Sequence, residues 1–253
     1  DEEEGMKKTI QRVLAAVILF AMILSGGFSE VGKVHAEKQQ GTTKRAIYVV
    51  FDNSGSMYGD GNKAWSQATY AMEVFAAMMN YESGDVMKVF PMHDITTDGN
   101  TGSATKSSME IRGKDDIAQI HNMYTPKPGG TPYTQVNNAA GELTKLLNAG
   151  SVDEGWLVVL TDGDFDNDIP ASGLKADLEG KAAANENLYV QYLAIGTDVK
   201  NIPEGNADKG LYAQKAGNTS EVVNELAEIS NRIFKRNEYA GYSSEDSGLE
   251  FDI

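Results

Sequence analysis

The chain has no cysteine, and among its 253 residues only three histidines and six prolines. Without a thiol there is no disulfide, no thiolate metal site and no cysteine nucleophile. Packing must therefore supply the stability, and any metal must be held by oxygen or imidazole. Basic charge is scarce as well: 22 Lys and Arg stand against 37 Asp and Glu, a formal charge of −15. Such a chain repels phosphate backbones and anionic membrane surfaces, so nucleic acid is not an expected partner. A bilayer-spanning helix takes about 20 apolar residues, and the apolar run Val13 to Leu24 has 12. What is present is 41% hydrophobic and 23% charged residues. That composition suits one domain, at most two, with a substantial core, and excludes wholesale disorder, coiled coil and collagen.

Residues 1–36 read as an N-terminal extension and signal peptide. Lys7, Lys8 and Arg12 follow Met6, the apolar run comes next, and Val34 and Ala36 suit cleavage before Glu37. The protein is accordingly expected to be exported, secreted or held at the cell surface. Contact with a membrane is expected only through an uncleaved leader or a part beyond Ile253. Residues 37–43 are a polar linker, and a domain is expected over 44–237. The polar stretch 238–253 ends in Leu249-Glu250-Phe251-Asp252-Ile253, which alternates like the opening of another strand, so a further domain is expected to follow.

Between these segments strand and helix patterns alternate. Ala46–Phe51 (AIYVVF) and Trp156–Leu160 (WLVVL) are unbroken β-branched and aromatic runs, the habit of strands buried on both faces. Leu188–Ile195 is a third long strand, and shorter ones are expected at Val86–Phe90, Met109–Arg112 and Leu211–Ala213. From Lys63 to Met79 the apolar residues Trp65, Ala68, Met72, Phe75 and Met79 step by three and four, one face of a helix. The same stepping marks Val136–Leu147, where Pro132 is expected in the first turn and Gly150 after the last. Further helices are expected near Asp115–Met123, Leu174–Ala184 and Ser220–Arg236. Alternation of this kind predicts an α/β fold: a doubly wound, mostly parallel central sheet flanked by helices.

In such sheets ligands bind beyond the carboxyl ends of the strands. The first long strand ends in Asp52-Asn53-Ser54-Gly55-Ser56-Met57 and the fourth in Thr161-Asp162-Gly163-Asp164; a loop between them carries Gly129-Gly130-Thr131-Pro132. Together they offer two carboxylates and three hydroxyls without imidazole. Hard oxygen donors of this kind select Mg²⁺, Mn²⁺ or Ca²⁺, and the small number of charges favours Mg²⁺.

Asp52, Ser54 and Ser56 resemble the D-x-S-x-S signature of von Willebrand factor A domains, whose metal-ion-dependent adhesion site is completed by a later Thr and Asp. Thr131 and Asp162 match those positions, and the likeness covers roughly residues 44–237. The resemblance implies that Ser54 and Ser56 bind the metal directly, that Asp52 and Asp162 hold coordinated waters and orient the serines, and that Thr131 binds directly or through water. It implies further that an open coordination position captures an Asp or Glu of a protein partner. Met57, Tyr58, Gly130 and Asp164 are expected to form the rim around that position.

Blander roles compete at each of these residues. Asp52, Ser54 or Thr131 could simply cap a turn or helix. The acidic series Asp162, Asp164, Asp166, Asp168 has Asn167 at the sixth position and Gly173 at the twelfth, where a calcium loop needs Gly and Glu, and reads as a solvated loop. Three functions are in play: a divalent-cation-dependent adhesion-type binding module, an envelope assembly component using the same site, and a Mg²⁺-dependent phosphoryl hydrolase. The hydrolases carry a second Asp where this chain has Ser54, and no Walker loop or G-x-S-x-G elbow occurs, so no enzymatic activity is expected.

Overall fold

The computed structural model describes residues 43–92, 108–121, 131–163, 165, 172–196, 199 and 201–234. The chain divides into two units, Asp1–Thr42 and Thr43–Ile253, and all described residues belong to the second. The expected leader and the strand expected at 249–253 lie outside the described residues. Among the described residues no helix is long and apolar enough to cross a membrane.

Six strands, β1 (Arg45–Phe51), β2 (Val86–Pro91), β3 (Met109–Ile111), β4 (Glu154–Thr161), β5 (Leu188–Ile195) and β6 (Leu211–Ala216), form one sheet in the order β3-β2-β1-β4-β5-β6. Every pairing is parallel except that of β2 with β3. The chain winds outward from β1 to β3, returns to β4 beside β1, and winds the other way to β6. The sheet is therefore doubly wound, with its switch point between β1 and β4, as the alternating pattern predicts.

Among the described residues five helices cover it: α1 (Gly59–Met78), α2 (Lys114–His121), α3 (Thr134–Asn148), α4 (Leu174–Ala182) and α5 (Thr219–Phe234). Because successive strand residues point to opposite faces, the central strands feed two cores at once. Ile47, Val49 and Phe51 of β1, with Val158 and Leu160 of β4, join Phe75 of α1 and Ile229 of α5. Tyr48, Val50, Val159 and Tyr192 join Val136 and Leu143 of α3 and Leu178 of α4 on the other face. Burial on both faces is the reason β1 and β4 read as continuous apolar runs.

Some boundaries differ from expectation. Helix α1 begins at Gly59 rather than Lys63, because the 3₁₀ turn Gly55–Tyr58 leads straight into it; an apolar stripe marks only the packed part of a helix. Helix α3 begins at Thr134, so Pro132 precedes the helix instead of lying in its first turn. Strand β6 runs on to Ala216, three residues past its expected end. Helix α3 presses closely on β4 at Gly155, where a Cβ would meet Leu147 Cδ1 at 3.0 Å and Leu188 Cδ1 at 3.4 Å.

Candidate functional site

The switch point brings the ends of β1 and β4 together. The Asp52 amide donates to Leu160 O at 2.8 Å, and the Met92 amide donates to Phe51 O at 2.9 Å, so the end of β1 is pinned to both neighbours. Asp52 continues the alternation of Tyr48 and Val50, which directs it to the α3 and α4 side, and it is fully buried.

Each of its carboxylate oxygens has donors. Oδ1 accepts the Ser54 amide at 2.8 Å. Oδ2 accepts the Thr161 hydroxyl at 2.8 Å and, at a longer 3.4 Å, the hydroxyl of Thr131. Thr161 Oγ1 in turn accepts the Gly163 amide at 3.0 Å. The hydroxyls of Ser54 and Ser56 share a hydrogen bond of 3.0 Å. Ser54 and Thr131 are buried, whereas Ser56 is exposed. The loop after β1, the segment before α3 and the last residue of β4 thus converge on Asp52.

Asp162 completes the group from the β4 side. It is half-buried, and its Oδ1 is enclosed without a hydrogen-bond partner among the described residues. Gly196, at the end of β5, comes close to it: a Cβ on Gly196 would lie 4.0 Å from Asp162 Cβ. Burial pushes the Asp52 carboxyl above the usual carboxylate range. The charge of Asp162 adds to that rise, and the hydrogen bonds from Ser54 and Thr161 oppose it. Two carboxylates within one another's field, one with an unpartnered buried oxygen, beside the hydroxyls of Ser54, Ser56, Thr131 and Thr161, form a donor set that fits a hard divalent cation. No group of three or more His, Asp or Glu side chains among the described residues could hold a metal by itself, so the hydroxyls are needed for any such site.

The rim expected around the site is only partly described. Gly130 and Asp164 lie outside the described residues. Tyr58 is half-buried and stacks on Trp65 with ring centroids 5.2 Å apart. Met57 requires a correction: its side chain is fully buried in the core beneath α1, because the 3₁₀ turn Gly55–Tyr58 rolls it inward, and it is not presented to a ligand. Thr161 is a site residue that reading the sequence did not single out. The signal lay in strand alternation, since Leu157, Val159 and Thr161 share the face on which Asp52 lies.

No family model and no curated protein matches the chain. Among solved structures, it is similar to a von Willebrand factor type A structure from Catenulispora acidiphila, with 15% identity over 76% of this chain and 43% of the other at a TM-score of 0.49. It is also similar to the pilus adhesin SpaC of Lactobacillus rhamnosus GG, in its open conformation, with 17% identity over 79% of this chain and 31% of the other at a TM-score of 0.48. A third is proximal thread matrix protein 1 of the mussel byssus, with 14% identity over 76% of this chain and 47% of the other at a TM-score of 0.48. The chain spans less than half the length of each of these proteins.

Proposed function

We propose that this protein is a divalent-cation-dependent binding module that captures an acidic side chain of a protein partner, with Mg²⁺ preferred and Mn²⁺ or Ca²⁺ able to replace it. The observation that carries this reading is the convergence of Ser54, Thr131 and Thr161 on the buried carboxylate of Asp52, beside the unpartnered oxygen of Asp162. Ser54, Ser56 and Thr131 would offer neutral oxygens to the cation, while Asp52 and Asp162 would hold its waters and orient the hydroxyls. A cation bound mainly by neutral oxygens keeps much of its positive charge and attracts a carboxylate at its free position. That is also how a protein of net charge −15 would bind an acidic ligand.

Hydrogen bonds from Ser54 and Thr161 hold both carboxylate oxygens of Asp52, the kind of support that a preorganised metal bridge requires. The module acts by binding and not by turnover. We place it outside the cytoplasm, exported on the leader that ends at Ala36. The test is a pull-down from envelope extract with wild-type protein and Asp52→Ala, in Mg²⁺ and in chelator. A partner retained only by the wild type and only in Mg²⁺ is the expected result. A partner that ignores chelator rules out the metal bridge, and Mg²⁺-dependent release of phosphate from aryl phosphates would point to a hydrolase instead.

A further inference from the structure

The two carboxylates of the candidate site are held very differently. Both oxygens of Asp52 have donors, whereas Asp162 Oδ1 is buried with none among the described residues. A carboxylate that must orient a cation's water needs a donor to fix which oxygen turns toward the ion, as ligating carboxylates generally do.

The same face of the sheet holds the complementary orphan. Tyr192 of β5 is fully buried, and its hydroxyl has no hydrogen-bond partner among the described residues. The β4–β5 register pairs Val159 with Tyr192 and Thr161 with Ala194. Tyr192 therefore lies in the row beneath Thr161, on the face Thr161 shares with Asp52, two residues or about 6.6 Å below Ala194. Gly196, the residue that follows its strand, comes close to Asp162. Aromatic contacts tie it to two of the loops that build the site. Phe165, three residues after Asp162, packs on Tyr192 at 6.5 Å and edge-on against Tyr133 at 5.2 Å, and Tyr133 follows Thr131 by two residues. Burial above all, with the charges of Asp52 and Asp162 adding to it, holds the phenol well above the ordinary tyrosine range, in its protonated, donating form. Trp156 Nε1, also without a hydrogen-bond partner among the described residues, belongs to the opposite face, where the ring stacks on Tyr189.

We infer that Tyr192 is a positioning residue of the cation site: in the cation-loaded protein its hydroxyl donates to Asp162 Oδ1, directly or through one water, and fixes the other carboxylate oxygen toward the ion. This rests on the cation-binding reading above.

The experiment is Tyr192→Phe in the full chain, titrated with Mg²⁺ by calorimetry in chelator-stripped buffer and melted without metal. Mg²⁺ affinity is expected to fall about tenfold, while the metal-free melting midpoint stays level or rises, since only an unpartnered hydroxyl is removed. A merely structural tyrosine would lower the midpoint instead, and that result overturns the inference. In wild-type protein carrying ¹³Cζ-labelled tyrosine, Mg²⁺ is expected to shift the one resonance absent from the Phe variant. A Phe variant that binds Mg²⁺ within twofold of a binding wild type overturns the role of Tyr192 and leaves the cation site standing. A wild type that binds neither Mg²⁺ nor Mn²⁺ overturns both.

Discussion

Thr161 Oγ1 donates to Oδ2 of Asp52 at 2.8 Å across 109 residues of sequence, and that same Thr161 hydroxyl oxygen accepts the Gly163 amide. One hydroxyl thus joins the end of β1 to the loop that carries Asp162. Thr161→Val keeps the shape and removes both bonds, stranding the buried Gly163 amide and leaving Asp52 Oδ2 only the longer bond from Thr131. The expected loss is about 1–3 kcal/mol of stability, read by urea denaturation in chelator, together with weaker Mg²⁺ binding. Thr161→Ser keeps the hydroxyl and should recover most of both; if it does not, the methyl packing matters and the hydrogen bonds do not.

Asp162 presents the opposite case, because its charge raises the Asp52 carboxyl's proton affinity and its Oδ1 is unpartnered. Asp162→Asn relieves that repulsion. Without metal the variant should be at least as stable as the wild type. With metal the two should part: a wild type at a Mg²⁺ concentration 100 times its dissociation constant gains about 2.7 kcal/mol, and the variant gains far less. Equal Mg²⁺-induced shifts in melting midpoint would remove Asp162 from the site.

The long strands were readable in the sequence because burial on both faces leaves only apolar residues. The limits of β5 fall at Leu188 and Ile195 as expected, since Asn187 and Gly196 interrupt the run there. Asp52 and Ser54 could be singled out because chemistry follows strand ends in a doubly wound sheet, and Thr131, which precedes α3, through the resemblance; the structure brings the three together. Thr161 was not singled out: strand alternation gives its face, but its meeting with Asp52 depends on the β1–β4 register, a long-range pairing no local pattern records. The antiparallel direction of β3 was not readable either, as a three-residue strand carries no signal of direction. The polar end of β6 was hidden because its support is tertiary: Arg232 of α5 donates to Gln191 Oε1 at 2.6 Å and to Gln214 Oε1 at 3.2 Å, holding the edge strand through side chains.

Gly155 tests how closely α3, the helix that follows Thr131, must sit on β4. A Cβ there would stand 3.0 Å from Leu147 Cδ1 and 3.5 Å from Leu143 Cδ2. Gly155→Ala should therefore cost about 1–3 kcal/mol as overpacking, measured by denaturant unfolding. Combining it with Leu147→Ala, which vacates the crowded space, should recover part of the loss. Simple addition of the two penalties would show that the contact does not govern the packing.

Glu225 of α5 provides a pH test away from the site. It accepts a hydrogen bond from Gln214 Nε2. Burial pushes its carboxyl up, the nearby charges of Glu228 and Glu221 add to the rise, and Gln214 and Arg232 oppose it. With its folded pKa above the unfolded value, the folded state binds the proton more tightly. The favourable contribution is then fully present below the ordinary carboxylate pKa and is lost as pH climbs through the raised value, so at pH 7 the ionised group opposes folding. Glu225→Gln should raise the melting midpoint at pH 7, and because solvent screens this half-exposed group the gain is only about 0.5 kcal/mol. The advantage should shrink as the pH is lowered and vanish near pH 4, where both proteins carry a neutral side chain. A gain that stays constant across that range would mean that the amide improves packing or helix propensity, and that charge at Glu225 has no part in it.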